Sequence, residues 1–79
     1  MNRQALRRMR RLAGLSQHEL ARSAGVSPSL IEKIEGGFHE NIELRTLRKI
    51  ASALAPLLGV SVSTVLIELV SESEEAPHA

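Results

Sequence analysis

The chain has 79 residues, of which 43% are hydrophobic and one, Phe38, is aromatic. This length predicts a single small domain with an aliphatic core. The absence of cysteine excludes disulfides, thiol nucleophiles and zinc sites with cysteine ligands. No apolar run approaches the roughly 18 residues of a membrane-spanning helix. We therefore expect a cytoplasmic protein that does not enter a membrane.

The net charge of +1 conceals a strong separation of charge along the chain. Residues 1–50 hold all ten basic residues and five glutamates, a net charge of +5. Residues 51–79 hold four glutamates and no basic residue, a net charge of −4. Eight of the ten basic residues are arginine, whose planar guanidinium suits phosphate geometry. This separation favours a surface that binds a polyanion over simple solvation of the helix faces.

The first predicted helix covers residues 2–13, with Asn2 as its cap. Its apolar residues recur at helical spacing and form one stripe: Ala5, Leu6, Met9, Leu12 and Ala13. Arg10 falls close to the edge of that stripe, whereas the other arginines, including Arg11, lie off it. We interpret Arg11 and its neighbours as a surface that attracts phosphates; the alternative is a solvated face.

The next segment predicts two short helices, 17–24 and 28–35, joined by a tight turn. Ser16 and Glu19 have the spacing of a capping box, and Gly25 stands where a helix must end with a sharp turn. Ser27 then caps the second helix, and Pro28 takes its first position, where no N–H is needed. This is the helix-turn-helix pattern, which lays its second helix in the major groove of DNA.

On the second helix of the motif, Ile31 and Ile34 are expected to face the core, which leaves Ser27, Ser29 and Lys33 outward. Lys33 can donate to guanine or to a phosphate, and serine can contact any base. Gln17, at the N-terminal end of the first helix of the motif, is predicted to contact a phosphate. His39 is interpreted as a loop residue that can approach a phosphate.

The remaining chain predicts helices over 44–57 and 61–70, with Pro56 breaking or kinking the first of them. Inward-facing positions are expected to be Leu44, Leu47, Ile50, Ala51 and Leu54, then Val62, Val65, Leu66 and Leu69. Val60, Ile67 and Val70 are then surplus apolar residues on a polar surface, which we interpret as a dimer interface. Residues 1–70 form the predicted domain, and the acidic segment 71–79 is predicted to be a disordered tail.

Three blocks of this sequence together resemble one family. They are G-L-S-Q-x-E-L-A-x-x-x-G-V-S from Gly14 to Ser27, I-E-x-I-E-x-G from Ile31 to Gly37, and T-L-x-K-I-A-x-A-L from Thr46 to Leu54. They occur in order in regulators of the lambdoid phage repressor and Cro type, also called XRE-like. The resemblance covers roughly residues 3–70. It implies an all-α, compact five-helix bundle that binds an operator in double-stranded DNA as a two-fold dimer.

The resemblance also assigns roles to individual residues. Gln17 matches a phosphate-contacting glutamine, and Ser27, Pro28, Ser29 and Lys33 match the base-facing positions of the recognition helix. Arg10 and Glu35 match a partly buried ion pair with a structural role. Pro28 stands where many relatives carry a polar base-reader, and segment 55–58 looks inserted between the last two helices.

Two functions therefore compete. The first is a sequence-specific transcriptional regulator, expected to be a repressor that acts as a homodimer. The alternative is an antitoxin-like or interaction module of the same fold, which binds a partner protein through the acidic C-terminal half. No enzyme activity, cofactor or metal site is expected, because His18, His39 and His78 lack metal-ligand spacing and no catalytic constellation is present.

Overall fold

A computed structural model of the chain describes residues 1–38 and 41–71. These residues form five α-helices and no strand. The helices are α1 (Arg3–Leu12), α2 (Gln17–Ala24), α3 (Pro28–Glu35), α4 (Leu44–Leu58) and α5 (Val62–Val70). The predicted all-α, five-helix fold is confirmed, with each helix end within one residue of its expected place. His39 and most of the predicted acidic tail, 72–79, lie outside the described residues.

The core is built from aliphatic side chains that all five helices contribute. The largest fully buried apolar side chains are Leu6, Leu20, Ile31, Ile34, Ile50, Leu54, Val65 and Leu69. Burial of each of these side chains stabilises the fold by about 1.5–3 kcal/mol relative to leaving it exposed to water. α4 lies at the centre, packed against α2 and α5 and touching α1. α3 packs against α1 and α2, which leaves its other side available on the surface.

Three residues expected to face inward are exposed. Leu12 is 71% exposed, Leu44 is 54% exposed, and Val62 is exposed as well. Each is the terminal residue of its helix: the last of α1, the first of α4 and the first of α5. Helical spacing gives the direction of a side chain, but it does not say whether a neighbouring helix extends far enough to cover it.

Pro56 was expected to break or kink this helix, and a break does not occur, because α4 continues to Leu58. Proline removes one N–H and crowds the carbonyl four residues earlier, which is tolerable near a helix end. Beyond the proline, the carbonyl of the buried Ala55 accepts from the backbone N–H groups of Gly59 and Val60. Gly59 then ends the helix with a φ of 70°, so α4 ends one residue later than predicted.

The two ends of the chain segment 2–70 are joined through Asn2. Its side-chain Oδ1 accepts from the backbone N–H of Ala5 at 3.0 Å, which caps α1 as predicted. Its own backbone N–H donates to the carbonyl of Leu69 at 2.7 Å. The buried Asn2 therefore fixes the start of α1 against the last turn of α5.

No helix among the described residues has the length and apolar character needed to span a bilayer.

Candidate nucleic-acid interface

The first helix of the predicted motif begins at a complete capping box. The backbone N–H of Glu19 donates to Ser16 Oγ at 3.0 Å, and the backbone N–H of Ser16 donates to Glu19 Oε1 at 2.9 Å. Two interactions with Ser16 lower the pKa of Glu19. The larger is hydrogen bonding with the Ser16 backbone, and the smaller is hydrogen bonding with the Ser16 side chain. These bonds fix the first turn of α2, so Gln17 occupies its first helical position.

The turn between α2 and α3 has the form that the sequence predicts. Gly25 has a φ of 72°, a left-handed conformation that favours glycine, and it ends α2. Ser27 Oγ accepts from the backbone N–H of Leu30 at 3.2 Å, and Pro28 is the first residue of α3. Residues 17–35 therefore form a helix-turn-helix unit with a three-residue connection.

α3 has one buried side and one exposed side. Ile31 and Ile34 lie in the core, whereas Ser29 and Lys33 are exposed and the Ser27 cap is exposed beside them. Pro28 is half-buried, so it contributes less surface than its neighbours. The exposed side also carries Glu32, whose Oε1 lies 3.6 Å from His18 Nε2 on α2. Arg11 is exposed on the last turn of α1.

A buried carboxylate connects the three helices that carry this surface. The side chain of Glu35, the last residue of α3, is 1% exposed. Arg10 of α1 donates two hydrogen bonds to this carboxylate, from Nε to Oε2 at 2.6 Å and from Nη2 to Oε1 at 2.9 Å. Arg10 Nη1 also donates to the carbonyl of Leu15 at 2.9 Å. The Arg10–Glu35 pair that the family resemblance implies is thus present in the structure. It is a bidentate contact that is largely shielded from solvent.

Two further side chains reach the same carboxylate. Arg7 Nε lies 3.3 Å from Glu35 Oε1, and Arg7 Nη2 donates to the Glu35 backbone carbonyl at 3.3 Å. Gln17 Nε2 donates to Glu35 Oε1 at 3.2 Å. We call these four residues, Arg7, Arg10, Gln17 and Glu35, the Glu35 tether. It joins α1, the start of α2 and the end of α3.

From the sequence, Arg7 is predicted only to lie, with the other arginines of α1 outside the apolar stripe, on a solvated or phosphate-attracting face. The spacing of the arginines could have indicated that Arg7 joins the tether. Arg7 lies three residues before Arg10 and therefore on the same side of α1. Gln17 was predicted to contact a phosphate, whereas in the structure one of its amide hydrogens is directed to Glu35. Its second amide hydrogen and its carbonyl oxygen are additional bonding groups of the same side chain.

The charges of the tether stabilise one another. Burial acts to raise the pKa of Glu35, but hydrogen bonds from Arg10, Gln17 and Arg7 and the charge of Arg10 outweigh it, so the pKa is lowered. The hydrogen bond to Glu35 raises the pKa of Arg10 in spite of its burial. Both groups are therefore ionised at neutral pH, and no buried side-chain nitrogen or oxygen in the described residues lacks a hydrogen bond.

The residues predicted to form a dimer interface are separate from this surface in sequence. Val60 lies in the turn between α4 and α5, and Ile67 and Val70 lie on α5; all three are exposed.

Residues 1–38 and 41–71 contain no group of three histidine or acidic side chains that could hold a metal ion.

Comparison with known proteins agrees with this geometry. The family described as "Helix-turn-helix" matches residues 6–55. The HTH-type transcriptional regulator SlrR of Bacillus subtilis (strain 168) is 35% identical over 72 residues. That alignment covers 89% of this chain and 47% of SlrR, so the chain spans about half the length of this relative. No solved structure gives a significant match. The chain therefore belongs to the XRE-type helix-turn-helix family of DNA-binding transcriptional regulators.

Proposed function

We propose that the chain is a sequence-specific repressor that binds an operator as a homodimer, with α3 in the major groove. The observation that carries this proposal is the two-sided character of α3. One side is fixed to α1 and α2 by Ile31, Ile34 and the Glu35 tether, while the other exposes Ser29 and Lys33. A helix held rigidly on one side and polar on the other can enter the groove without rearranging the domain.

Base contacts are assigned to Ser27, Ser29 and Lys33. Lysine donates to guanine O6 and N7, and the serine hydroxyls contact bases or phosphates. None of these side chains reads a base by a bidentate pair, so we propose that sequence-dependent DNA shape contributes much of the specificity. Pro28 is assigned an apolar contact beside them.

Phosphate contacts are assigned to the N-terminal end of α2, to Gln17, to Arg11 and to His39. Helix N-termini carry unpaired N–H groups and attract anions. The hydrogen bond from Gln17 to Glu35 holds the amide in one orientation at this end. Arg11 adds an exposed cation, and each neutralised phosphate makes binding more sensitive to salt.

The dimer is proposed to form through Val60, Ile67 and Val70. A two-fold dimer places its two recognition helices in successive major grooves, about 34 Å apart. Occupation of an operator by such a dimer blocks access of other proteins, which is the proposed mechanism of repression, in the cytoplasm. The alternative, a module that binds a protein partner, draws support from the same exposed apolar residues and from Glu68 beside them on α5.

The test is selection of duplexes from a randomised pool, followed by affinity measurements on the selected and the scrambled sequence. We expect Lys33→Ala to weaken binding to the selected duplex by about 1–3 kcal/mol and to reduce its preference over the scrambled one. Lys49→Ala, which removes the same charge from α4, is the matched control and should leave that preference unchanged. Equal effects of the two substitutions on the preference would refute the assignment of Lys33.

A further inference from the structure

A second surface, at the C-terminal end of α2, has no role in the proposed function. It is an open groove of about 760 Å³ between the C-terminal end of α2 and the outer face of α4. Ser23 and Ala24 line it on α2, and the residues that line it on α4 extend from Leu44 to Leu57. We call it the α2–α4 groove. Its volume is within the range of pockets that hold ligands or peptide side chains.

The groove is mainly basic over the first half of α4, where Leu44 is the one apolar residue that lines it. Arg45, Arg48 and Lys49 are exposed and line it, and no acidic residue lines it. Across residues 1–38 and 41–71, none of these three cations lies within ion-pair or hydrogen-bond distance of another side chain. Like charges three and four residues apart on a helix repel each other. The helix thus carries a cationic cluster that nothing in the described chain neutralises.

The groove is apolar over the last turns of α4. Ala53, Pro56 and Leu57 line it there, and Leu57 is 53% exposed. Lys49 and Pro56 are seven residues apart, so the cationic and apolar parts are separated by about 10–12 Å along the helix axis. An occupant that satisfies both parts must present carboxylates at one end and apolar side chains two helical turns away.

We propose that the α2–α4 groove binds a partner protein through an acidic amphipathic helix. A helix of about three turns spans the distance, and its apolar stripe covers Leu57 and Pro56 while its carboxylates pair with Arg48 and Lys49. Double-stranded DNA is the weaker candidate, because a phosphate backbone pairs with the cations but leaves the apolar half of the groove in water. This proposal does not depend on sequence-specific DNA binding by α3.

The test uses a displayed library of helical peptides whose outward face is randomised among acidic, basic, apolar and serine residues. The full chain serves as bait, and the best peptide is then titrated into ¹⁵N-labelled protein. We expect enrichment of peptides with glutamate or aspartate about two turns from leucine, isoleucine or phenylalanine. Chemical-shift changes should concentrate on the C-terminal end of α2 and on α4.

Matched substitutions distinguish binding in the groove from non-specific binding. Arg48→Glu and Leu57→Ser should each weaken the selected peptide at least tenfold. Arg11→Glu and Leu12→Ser, which make the same changes at exposed positions on α1, should alter its affinity less than twofold.

Four outcomes would overturn the proposal. The first two are the failure to enrich acidic amphipathic helices and the enrichment of helices that bind every variant equally. Another is dissociation of a homodimer by Leu57→Ser in sedimentation velocity, which would show that a second copy fills the groove. The last is a shift of the same α4 resonances by non-specific duplex DNA that the peptide cannot displace, which would assign the groove to DNA.

Discussion

Replacing Glu35 by glutamine tests the tether that holds the recognition helix. The amide keeps the size of the side chain but removes the charge that Arg10 faces at 2.6 and 2.9 Å. It also replaces one acceptor oxygen by an N–H₂ group directed at guanidinium donors. Removing one partner of a buried ion pair costs about 3–5 kcal/mol, because the other charge is left without compensation.

That loss is large for a domain of this size. A chain of 79 residues is expected to have a free energy of unfolding of roughly 4–12 kcal/mol. We therefore expect Glu35→Gln to lower the urea midpoint strongly, or to leave the chain partly unfolded at 37 °C. Glu32→Gln is the control: it changes an exposed glutamate on the same helix and should cost less than about 0.5 kcal/mol.

The effect of Glu35→Gln should depend on pH in one direction. Because the folded-state pKa of Glu35 is lowered, the carboxylate stabilises the fold at pH values above its unfolded pKa of about 4.3. That contribution is lost as the pH falls through the folded-state pKa. The difference in unfolding free energy between the wild type and Glu35→Gln should be largest near pH 7 and should shrink below about pH 4.3. A difference under 1 kcal/mol at pH 7, or one that stays constant down to pH 3, would refute the reasoning.

Arg7, the turn at Gly25 and the exposed Ile67 on α5 can each be tested by substitution. Arg7→Ala should cost less than Glu35→Gln in urea unfolding, because the Arg7 side chain is 46% exposed and water replaces part of its contact; an equal cost would contradict this ranking. Gly25→Ala should lower the unfolding free energy by about 1–2 kcal/mol through its positive φ alone, since an added Cβ meets no atom within 4 Å. Gly25→Asn should cost less, and an unchanged stability of the alanine variant would be inconsistent with the left-handed turn. Ile67→Glu should shift sedimentation velocity profiles from dimer to monomer, whereas Leu12→Glu should not; a variant at Ile67 that stays dimeric would place the interface elsewhere.

Local signals in the sequence were sufficient to predict the helix-turn-helix unit. Ser16 with Glu19, Gly25, and Ser27 with Pro28 each satisfy backbone groups or backbone conformations within a few residues. Such features depend little on the rest of the fold, which is why the predicted bounds of α2 and α3 agree with the structure.

Features that depend on tertiary packing were predicted less well. Leu12, Leu44 and Val62 continue apolar stripes but lie beyond the reach of neighbouring helices. Glu35 and Arg10 were paired through the family resemblance, whereas the participation of Arg7 and Gln17 requires the relative positions of three helices. The roles of Ser27, Ser29 and Lys33 toward DNA remain predictions.

As a dimer, this chain is proposed to recognise one duplex sequence through α3. The most direct test is fluorescence anisotropy with labelled duplexes from the DNA that flanks its gene, titrated with the full chain at several salt concentrations. We expect one fragment to bind with two chains per site, a steep salt dependence, and at least about 10³-fold preference over a scrambled duplex. Weak binding that is equal for every duplex would contradict the claim and would favour a module that acts through a protein partner.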